Sequence, residues 1–342
     1  MKKVKVGING FGRIARVIVR SLEQRDMPIE VCGINVRNAD LEKMVYMIRY
    51  DSVFGRFYGD VQATEQGIRI NGHDIRVLSE SAPEGIDWAG CGAEYIIEST
   101  GAFRTIGTCA KHFAGGAKKV ILTAPGKGDD FPTFVIGVNE DTYESSMDIV
   151  SNASCTTNCL APLAKVIHEK FGIEKALMST IHASTSKQKP VDSNGGRDWR
   201  TGRSVFNNII PSSTGAAQAV GKVIPELNGH MTGMSFRVPT NDISVVDLTA
   251  HLKTKATYEE ICQAVKEASQ GSMKGIIEYN NDEIVSSDLR GNYNTCIFDE
   301  KAGIMLGDDF VKLIAWYDNE WGYSNKVIDL VVHMAKTDGV IS

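Results

Sequence analysis

The sequence predicts a two-domain α/β protein, with a parallel sheet in the first domain and an antiparallel sheet in the second. In the first 150 residues, short β-rich runs alternate with helical runs, which is typical of a parallel sheet covered by helices on both faces. After Ala176 the strand candidates become longer and alternate apolar with polar residues, as in 243–252 and 311–317. A chain of 342 residues is long enough to form two such domains.

The first domain is predicted to comprise residues 1–154 and 320–342, and the second residues 155–319. The strands of the first domain are expected near 4–8, 30–35, 95–99, 119–123, 134–138 and 148–150. Two β-rich runs within 57–77 predict a small antiparallel hairpin attached to this domain. In the second domain, a capping box at 257–260 starts a helix that reaches about residue 270, and a last helix over 324–336 could return to the first domain.

Composition narrows the classes of function. The net charge of −5, without a long basic run, argues against nucleic acid as a partner, and the chain contains no apolar run of the length that a membrane span requires. We expect neither a signal peptide nor a membrane partner, and we expect a cytoplasmic protein. The seven cysteines are odd in number and widely spaced, which favours free thiols over disulfides. Their one close pair, Cys155 and Cys159, lacks a second pair at metal-binding spacing, so no metal site is expected.

The N-terminus carries a dinucleotide-binding fingerprint of the Rossmann type. A strand is followed by Gly10, Gly12 and Ala15 in the pattern G-x-G-x-x-A, then by an apolar-periodic helix and a second strand over 30–35. Gly10 would make the tight turn, Gly12 would let a pyrophosphate approach the backbone, and Ala15 would allow close packing of helix and strand. The alternative is a plain tight turn, but the flanking strand and helix supply the context that the motif needs.

Cys155 is the candidate nucleophile. It follows a short strand and precedes an apolar-periodic segment that ends at Gly172, so the start of a helix would favour its thiolate. Pro162 is expected to interrupt or kink that helix. The alternative is a small buried thiol beside turn-forming residues.

His182 is the candidate acid and base for this thiol. It ends a strand predicted over 176–182, which would run back from the far end of the Cys155 helix toward its start. A histidine in contact with a cysteine can take the proton of the thiol, which forms the thiolate, and can then transfer that proton.

These motifs resemble those of phosphorylating glyceraldehyde-3-phosphate dehydrogenase along nearly the whole chain. The signature A-S-C-T-T-N stands at 153–158. Further matching segments are 9–13, 99–101, 180–185, 208–217, 236–239 and 316–323. Several separated motifs in the same order make the resemblance specific.

The resemblance implies a covalent oxidation of an aldehyde. Cys155 would attack glyceraldehyde 3-phosphate, a hydride would pass to a nicotinamide coenzyme, and inorganic phosphate would release 1,3-bisphosphoglycerate from the thioester, with His182 as base and then acid. The residues that would bind the substrate phosphate are Thr185 and Arg237, and those that would bind the attacking phosphate are Ser154, Thr156, Thr214 and Gly215. Hydroxyl groups, backbone N–H groups and arginine are suitable donors to phosphate oxygens.

The resemblance also implies a coenzyme groove and an oligomer. Asn319 matches the residue that binds the nicotinamide carboxamide, with Tyr323 packed nearby. The groove would further be lined by Asn9, Gly10, Phe11, Gly12, Arg13, Ile14, Thr100, Phe103 and Thr123. The 183–207 segment matches a loop that reaches a neighbouring subunit in a homotetramer.

One departure from the family pattern leaves the coenzyme open between NAD and NADP. NAD-specific members carry an acidic residue that accepts hydrogen bonds from the ribose hydroxyls. This chain has Val36 at that position, and a valine side chain cannot accept them. Arg37 beside it could pair with a 2′-phosphate, and the polar pair Ser193-Asn194 could tolerate that phosphate. Two alternative functions also remain, namely erythrose-4-phosphate dehydrogenase and a non-catalytic binding role on the same scaffold.

Overall fold

The structure, a computed structural model, describes residues 2–128, 130–196 and 198–342. The chain divides into two compact units. Unit 1 contains Met1–Phe134, Glu140–Ala153 and Ser324–Ser342, and unit 2 contains Val135–Asn139 and Ser154–Tyr323. No helix within the described ranges is long and apolar enough to cross a membrane.

Unit 1 is built on an eight-stranded sheet. Its elements in chain order are β1 (Val4–Asn9), α1 (Arg13–Leu22), β2 (Ile29–Asn35), α2 (Leu41–Arg49), β3 (Val61–Ala63), β4 (Gly67–Ile70), β5 (His73–Leu78), α3 (Trp88–Cys91), β6 (Tyr95–Glu98), α4 (Ile106–Cys109), β7 (Lys119–Leu122) and β8 (Ile149–Ser151). The helices form where apolar residues recur at helical spacing, as on α1, whose buried residues include Ala15, Ile18 and Val19. Burial of this apolar face holds α1 against the sheet.

Six strands of this sheet are parallel, in the order β5-β2-β1-β6-β7-β8. This is the strand order of a dinucleotide-binding Rossmann sheet, and the predicted fold class is confirmed. The strand order reverses between β1 and β6, because the chain extends the sheet from β1 first on one side and then, from β6 onward, on the other. Ligands are therefore expected beyond the carboxyl ends of these two strands. The predicted hairpin is formed by β4 and β5, which Asn71 and Gly72 join in left-handed conformations.

The described part of unit 2 contains a seven-stranded sheet together with α-helices. Its elements are α5 (Cys155–Phe171), β9 (Ile173–Ala183), β10 (Ile210–Ser213), α6 (Ala216–Val223), β11 (Met231–Val238), β12 (Ser244–Leu252), α7 (Tyr258–Gln270), β13 (Ile277–Asn280), β14 (Cys296–Leu306) and β15 (Phe310–Tyr317). The strand order is β10-β11-β9-β12-β15-β14-β13. The predicted antiparallel sheet is in fact mixed, because β11 runs parallel to β9 and β13 runs parallel to β14. A last helix, α8 (Trp321–Thr337), starts in unit 2, and its residues from Ser324 belong to unit 1.

Two local predictions are wrong. The predicted strand at 134–138 is a turn, because Gly137 has a φ of 88° and the Val138 N–H donates to the Val135 carbonyl. Helix α5 continues past Pro162, so the predicted interruption is wrong, whereas a kink at Pro162 stays a prediction. Nearly every residue of α5 from Thr156 to Ile167 is buried, so packing on most sides of the helix outweighs the hydrogen bond that proline removes.

Candidate active site and coenzyme site

Cys155 is the first residue of helix α5 in unit 2. Ser154 caps this helix, and its hydroxyl accepts a hydrogen bond from the Thr157 N–H at 3.1 Å. Ala153, directly before the cap, has a φ of 54°, a left-handed conformation that L-residues with a side chain rarely adopt. Such strain is common next to functional side chains, and it fixes the direction in which the chain enters the Cys155 helix.

His182 contacts Cys155. The distance from Cys155 Sγ to His182 Nε2 is 3.5 Å. The other ring nitrogen, Nδ1, lies 2.8 Å from the Ala183 carbonyl oxygen, which can hold the ring in the form with a proton on Nδ1. In that form Nε2 has a lone pair directed at the thiol.

Arg237 completes this group. It stands opposite His182 in the register of the parallel strands β9 and β11, and its Nη1 lies 2.7 Å from His182 Nδ1 and 3.2 Å from the Ala183 oxygen. A guanidinium can only donate, so Arg237 here donates to Nδ1 and the ring proton lies on Nε2. The form with Nδ1–H and a free Nε2 lone pair requires the guanidinium to move away from Nδ1. The structure thus brings together Cys155, His182 and Arg237, which the sequence singled out from three separate segments.

Burial sets the protonation state of the pair. His182 is buried, and burial together with the neighbouring Arg237 charge lowers its pKa to about 3. Burial also raises the pKa of the Cys155 thiol, and it outweighs the opposing effect of the Arg237 charge and of the hydrogen bonds at the start of α5. The resting pair is therefore a neutral thiol beside a neutral imidazole, although the helix start was expected to favour the thiolate.

Tyr317 is a site residue that the sequence did not single out. Its hydroxyl bonds to Thr156 Oγ1 and to Thr180 Oγ1, at 2.8 Å each, and its ring meets the His182 ring edge to face at 5.9 Å. Burial raises the pKa of Tyr317, so the phenol stays protonated. It ties the first turn of α5 to the strand that carries His182.

Asn319 joins the same neighbourhood through Ser244. The Ser244 hydroxyl donates to Asn319 Oδ1 at 2.6 Å and accepts from the Ala183 N–H at 3.0 Å. With its carbonyl oxygen engaged, Asn319 directs its amide donors elsewhere, which suits the recognition of a carbonyl group. Ser244 is a second positioning residue that the sequence did not indicate.

The other residues assigned to phosphate lie on separate segments of unit 2. The Thr185 hydroxyl donates to Gln188 Oε1 at 2.9 Å, directly after β9. Gly215 caps helix α6, and Thr214 Oγ1 accepts from the Ala216 N–H at 3.2 Å. A helix start with an exposed glycine is a suitable anion site, but these contacts do not join Thr185, Thr214 or Gly215 to Cys155.

The fingerprint of unit 1 follows β1 at the carboxyl edge of the sheet. Gly10 has a φ of 101°, which requires glycine. Gly12 caps α1 in an extended conformation, and a Cβ built there would meet no described atom within 4 Å. The fold itself therefore does not require glycine at this position, whereas a phosphate that approaches the backbone from outside would. The residues present fit a dinucleotide.

The remaining residues assigned to the coenzyme have mixed surroundings. The Arg13 guanidinium pairs with Asp51, the Thr100 hydroxyl donates to Glu98, and the Thr123 hydroxyl donates to the Glu98 backbone carbonyl. Phe11 is buried and Ile14 is half-buried. At the end of β2, the Val36 N–H donates to the Leu78 carbonyl, and Arg37 is exposed.

Comparison with known proteins identifies the family. Residues 4–106 match the family described as "Glyceraldehyde 3-phosphate dehydrogenase, NAD binding domain", and residues 154–319 match "Glyceraldehyde 3-phosphate dehydrogenase, C-terminal domain". A glyceraldehyde-3-phosphate dehydrogenase of Schizophyllum commune is 56% identical over 338 residues, which cover 99% of each chain.

Relatives from different compartments are about equally similar. A cytosolic glyceraldehyde-3-phosphate dehydrogenase of Chlamydomonas reinhardtii is 55% identical over 339 residues, 99% of this chain and 98% of the relative. A chloroplastic one of Arabidopsis thaliana is 55% identical over 334 residues, 97% of this chain and 78% of the relative. With both domains matched and this identity over its whole length, the chain belongs to the glyceraldehyde 3-phosphate dehydrogenase family, and its N-terminal part is that family's NAD-binding domain.

Proposed function

We propose that this chain is an NAD-dependent oxidoreductase that converts D-glyceraldehyde 3-phosphate and inorganic phosphate to 1,3-bisphosphoglycerate. The observation that carries the proposal is the contact of 3.5 Å between Cys155 Sγ and His182 Nε2 at the start of α5. A thiol beside an imidazole is the pair that nucleophilic catalysis on a carbonyl requires. The family match supports the substrate and the coenzyme.

Acylation starts at Cys155. As Sγ forms a bond to the aldehyde carbon, His182 Nε2 takes the thiol proton, and the resulting oxyanion accepts a hydrogen bond from the Cys155 backbone N–H. Bound NAD supplies the acceptor for the hydride that leaves this carbon. His182 holds the proton while the carbon becomes a thioester on Cys155, and then releases it.

Phosphorolysis regenerates the thiol. A phosphate oxygen attacks the thioester carbon as its proton passes to His182. The C–S bond breaks, and the leaving Cys155 sulfur takes a proton from His182 Nε2 to become the thiol again. We assign this phosphate to Ser154, Thr156, Thr214 and Gly215, and the substrate phosphate to Thr185 and Arg237. The proximity of Arg237 to His182 supports a link between phosphate binding by Arg237 and proton transfer by His182. A bound phosphate would draw the guanidinium away from Nδ1, leaving the Ala183 carbonyl to accept the Nδ1–H, and would reduce the repulsion that lowers the His182 pKa.

We infer that the coenzyme site accepts NADP as well as NAD. The Val36 side chain offers no acceptor for a ribose hydroxyl, and Arg37 is exposed. Within the described part of the chain, Arg37 makes no ion pair that would occupy its guanidinium. An unengaged arginine beside an apolar residue favours a 2′-phosphate, and Ser193 and Asn194 would tolerate it.

We also propose a homotetramer that uses the 183–207 loop. Its described part exposes large apolar side chains, with Trp199 85%, Val191 69% and Phe206 59% exposed, and position 197 lies outside the described residues. Exposed apolar residues concentrated in one loop are typical of an interface. Trp199→Ser should dissociate the tetramer in sedimentation experiments, whereas Val285→Ser, at another exposed apolar residue, should not. A tetramer unaffected by Trp199→Ser would place the interface elsewhere.

The cytoplasm remains the proposed compartment. All seven cysteines are free thiols, as is usual in reducing compartments. This supports the proposed compartment.

A single-turnover experiment tests the covalent scheme. Without phosphate, mixing the protein with NAD and glyceraldehyde 3-phosphate should give a rapid burst of about one NADH per Cys155, and mass spectrometry should locate a phosphoglyceryl group on that residue. Adding phosphate should discharge the adduct. A burst in Cys155→Ala equal to that of the wild type would refute the assignment.

A further inference from the structure

A buried carboxylate lies beneath the carboxyl edge of the unit 1 sheet. Glu98 ends β6 and is fully buried. Its Oε2 accepts from Asn9 Nδ2 at 2.6 Å and contacts His112 Nε2 at 3.0 Å. Its Oε1 accepts from the Thr100 N–H at 2.8 Å and from the Thr100 hydroxyl. A buried charge with four partners holds its surroundings in one arrangement.

On one side of Glu98, backbone groups fix the direction of every hydrogen bond. The Glu80 N–H donates to Asn35 Oδ1 at 2.8 Å, and Asn35 Nδ2 donates to the Glu80 carbonyl at 3.0 Å, so the Asn35 amide cannot turn over. Asn35 Nδ2 also donates to Asn9 Oδ1 at 2.8 Å. Asn9 must therefore present its NH₂ group to residue 98.

On the other side, an indole fixes the histidine tautomer. The Trp88 indole nitrogen can only donate, and it lies 3.0 Å from His112 Nδ1. His112 Nδ1 is therefore the acceptor, and the ring proton sits on Nε2, which donates to Glu98. With the Thr100 N–H, three groups that can only donate converge on residue 98. The two oxygens of a carboxylate can accept from all three.

The groups that Glu98 fixes belong to the turns that carry the coenzyme fingerprint. Asn9 immediately precedes Gly10, whose N–H donates to the Asn35 carbonyl at 2.9 Å. The Ser99 N–H and hydroxyl both donate to the Asn9 carbonyl, at 2.9 and 2.8 Å. One network thus joins the ends of β2, β1 and β6, on both sides of the point where the strand order reverses.

We propose that Glu98 is a positioning residue that preorganises the turns at Gly10 and at 99–101 for the coenzyme, an inference that rests on the proposed NAD-dependent function. Glu98 does not touch the reacting atoms. It holds the backbone that would receive the pyrophosphate, so ordering of these turns is complete before the coenzyme arrives.

The variant Glu98→Gln tests this most directly. The new amide has one NH₂ group, which replaces one of the two oxygens. In one orientation this NH₂ group faces the donors of Asn9 and His112, and in the other it faces the Thr100 N–H, so two donors oppose each other in either case. Leaving buried donors unsatisfied at this site should weaken binding of NAD and of ADP-ribose equally, by about 10- to 100-fold. The turnover number should change less than about threefold, because Cys155 and His182 are untouched. The matched control is Glu94→Gln, which makes the same change at a surface ion pair with Lys118 and should leave both dissociation constants unchanged.

A second variant separates positioning from stability. Trp88→Phe removes the indole donor but leaves the contacts of Glu98 with Asn9 and Thr100. It should lower the melting temperature, yet the dissociation constant for NAD of the folded protein should stay within about threefold of the wild type. If Glu98→Gln lowers the melting temperature but binds NAD as the wild type does, Glu98 is only structural and the proposal is wrong.

Hydrogen exchange on the wild type covers the case in which Glu98→Gln does not fold. The amides of Gly10, Ser99 and Thr100 should already be protected without coenzyme, and ADP-ribose should slow their exchange less than about threefold. Protection that arises only with ADP-ribose would overturn the proposal. Failure of the wild type to bind NAD would instead refute the proposed function.

Discussion

Replacing Gly12 with alanine should separate coenzyme binding from folding stability. Gly12 has φ −73° and ψ −168°, which alanine also adopts, and a Cβ there meets no described atom within 4 Å. Losing glycine restricts the unfolded chain and stabilises the fold by about 0.4–1 kcal/mol. Alanine caps a helix less well than glycine, which costs about 1 kcal/mol. The net change in the free energy of unfolding should lie within about 1 kcal/mol of zero.

Binding of the coenzyme should change much more. If the pyrophosphate approaches the backbone at the start of α1, the new methyl group occupies the space between them. Overpacking of this kind costs about 1–3 kcal/mol, so the dissociation constant for NAD should rise by about 5- to 150-fold.

Calorimetric titration with NAD and thermal unfolding without coenzyme measure the two effects separately. Gly107→Ala is the matched control, because it makes the same change at an exposed position of unit 1 whose Cβ also meets no described atom within 4 Å. It should leave the dissociation constant for NAD unchanged and stabilise the fold by up to about 1 kcal/mol, because Gly107 lies in helix α4. Gly10→Ala should instead destabilise the fold by about 1–3 kcal/mol, because φ is 101° and the Cβ would lie 3.1 Å from Ser99 Oγ. A folded Gly12→Ala protein that binds NAD within twofold of the wild type would refute the reasoning.

Three further predictions concern the proposed catalytic pair, Cys155 and His182, and the choice of coenzyme. Cys155→Ser should retain less than about a tenth of the oxidation rate, since serine lacks the acidity and nucleophilicity of a thiol, and a higher rate in a steady-state NADH assay would contradict the covalent scheme. His182 has a pKa of about 3 when folded and about 6.5 when unfolded, so below pH 6.5 the unfolded chain binds the extra proton and stability falls as pH falls. From pH 7 to pH 5 urea titrations should therefore show a loss of about 2 kcal/mol that His182→Asn lacks, and equal losses in both proteins would show that His182 titrates normally when folded. Val36→Asp should raise the ratio of kcat/KM for NAD to that for NADP at least about tenfold, because the carboxylate accepts from the ribose and repels a 2′-phosphate, with Val36→Asn as the uncharged control. An unchanged ratio would show that position 36 does not contact the ribose.

Local sequence signals predicted the fold class and the contact between Cys155 and His182. Gly10 and Gly12 lie between a strand and a helix, and this order of elements defines the parallel unit without reference to distant residues. The pairing of Cys155 with His182 was expected because a strand that returns along a helix brings its end near the helix start. Both inferences depend on residue types and on the order and direction of elements that are neighbours in the sequence.

Features that depend on register or on turn geometry could not be predicted. The 134–138 segment is apolar enough to resemble a strand, but the left-handed Gly137 turns it away from the sheet. Tyr317 reaches Thr156 and Thr180 only because β15 and β9 flank β12 in the sheet. Glu98 looks like an ordinary strand end, since the donors that need its charge come from residues up to 89 positions away.

The most direct test of the central claim is the initial rate of glyceraldehyde 3-phosphate oxidation, measured with NAD or NADP and with or without inorganic phosphate. We expect steady NADH production that depends on phosphate, and also turnover with NADP. Steady turnover that is independent of phosphate would show that water, not phosphate, discharges the Cys155 thioester. No reduction of either coenzyme would contradict the assigned substrate, and erythrose 4-phosphate would then be the next aldehyde to assay.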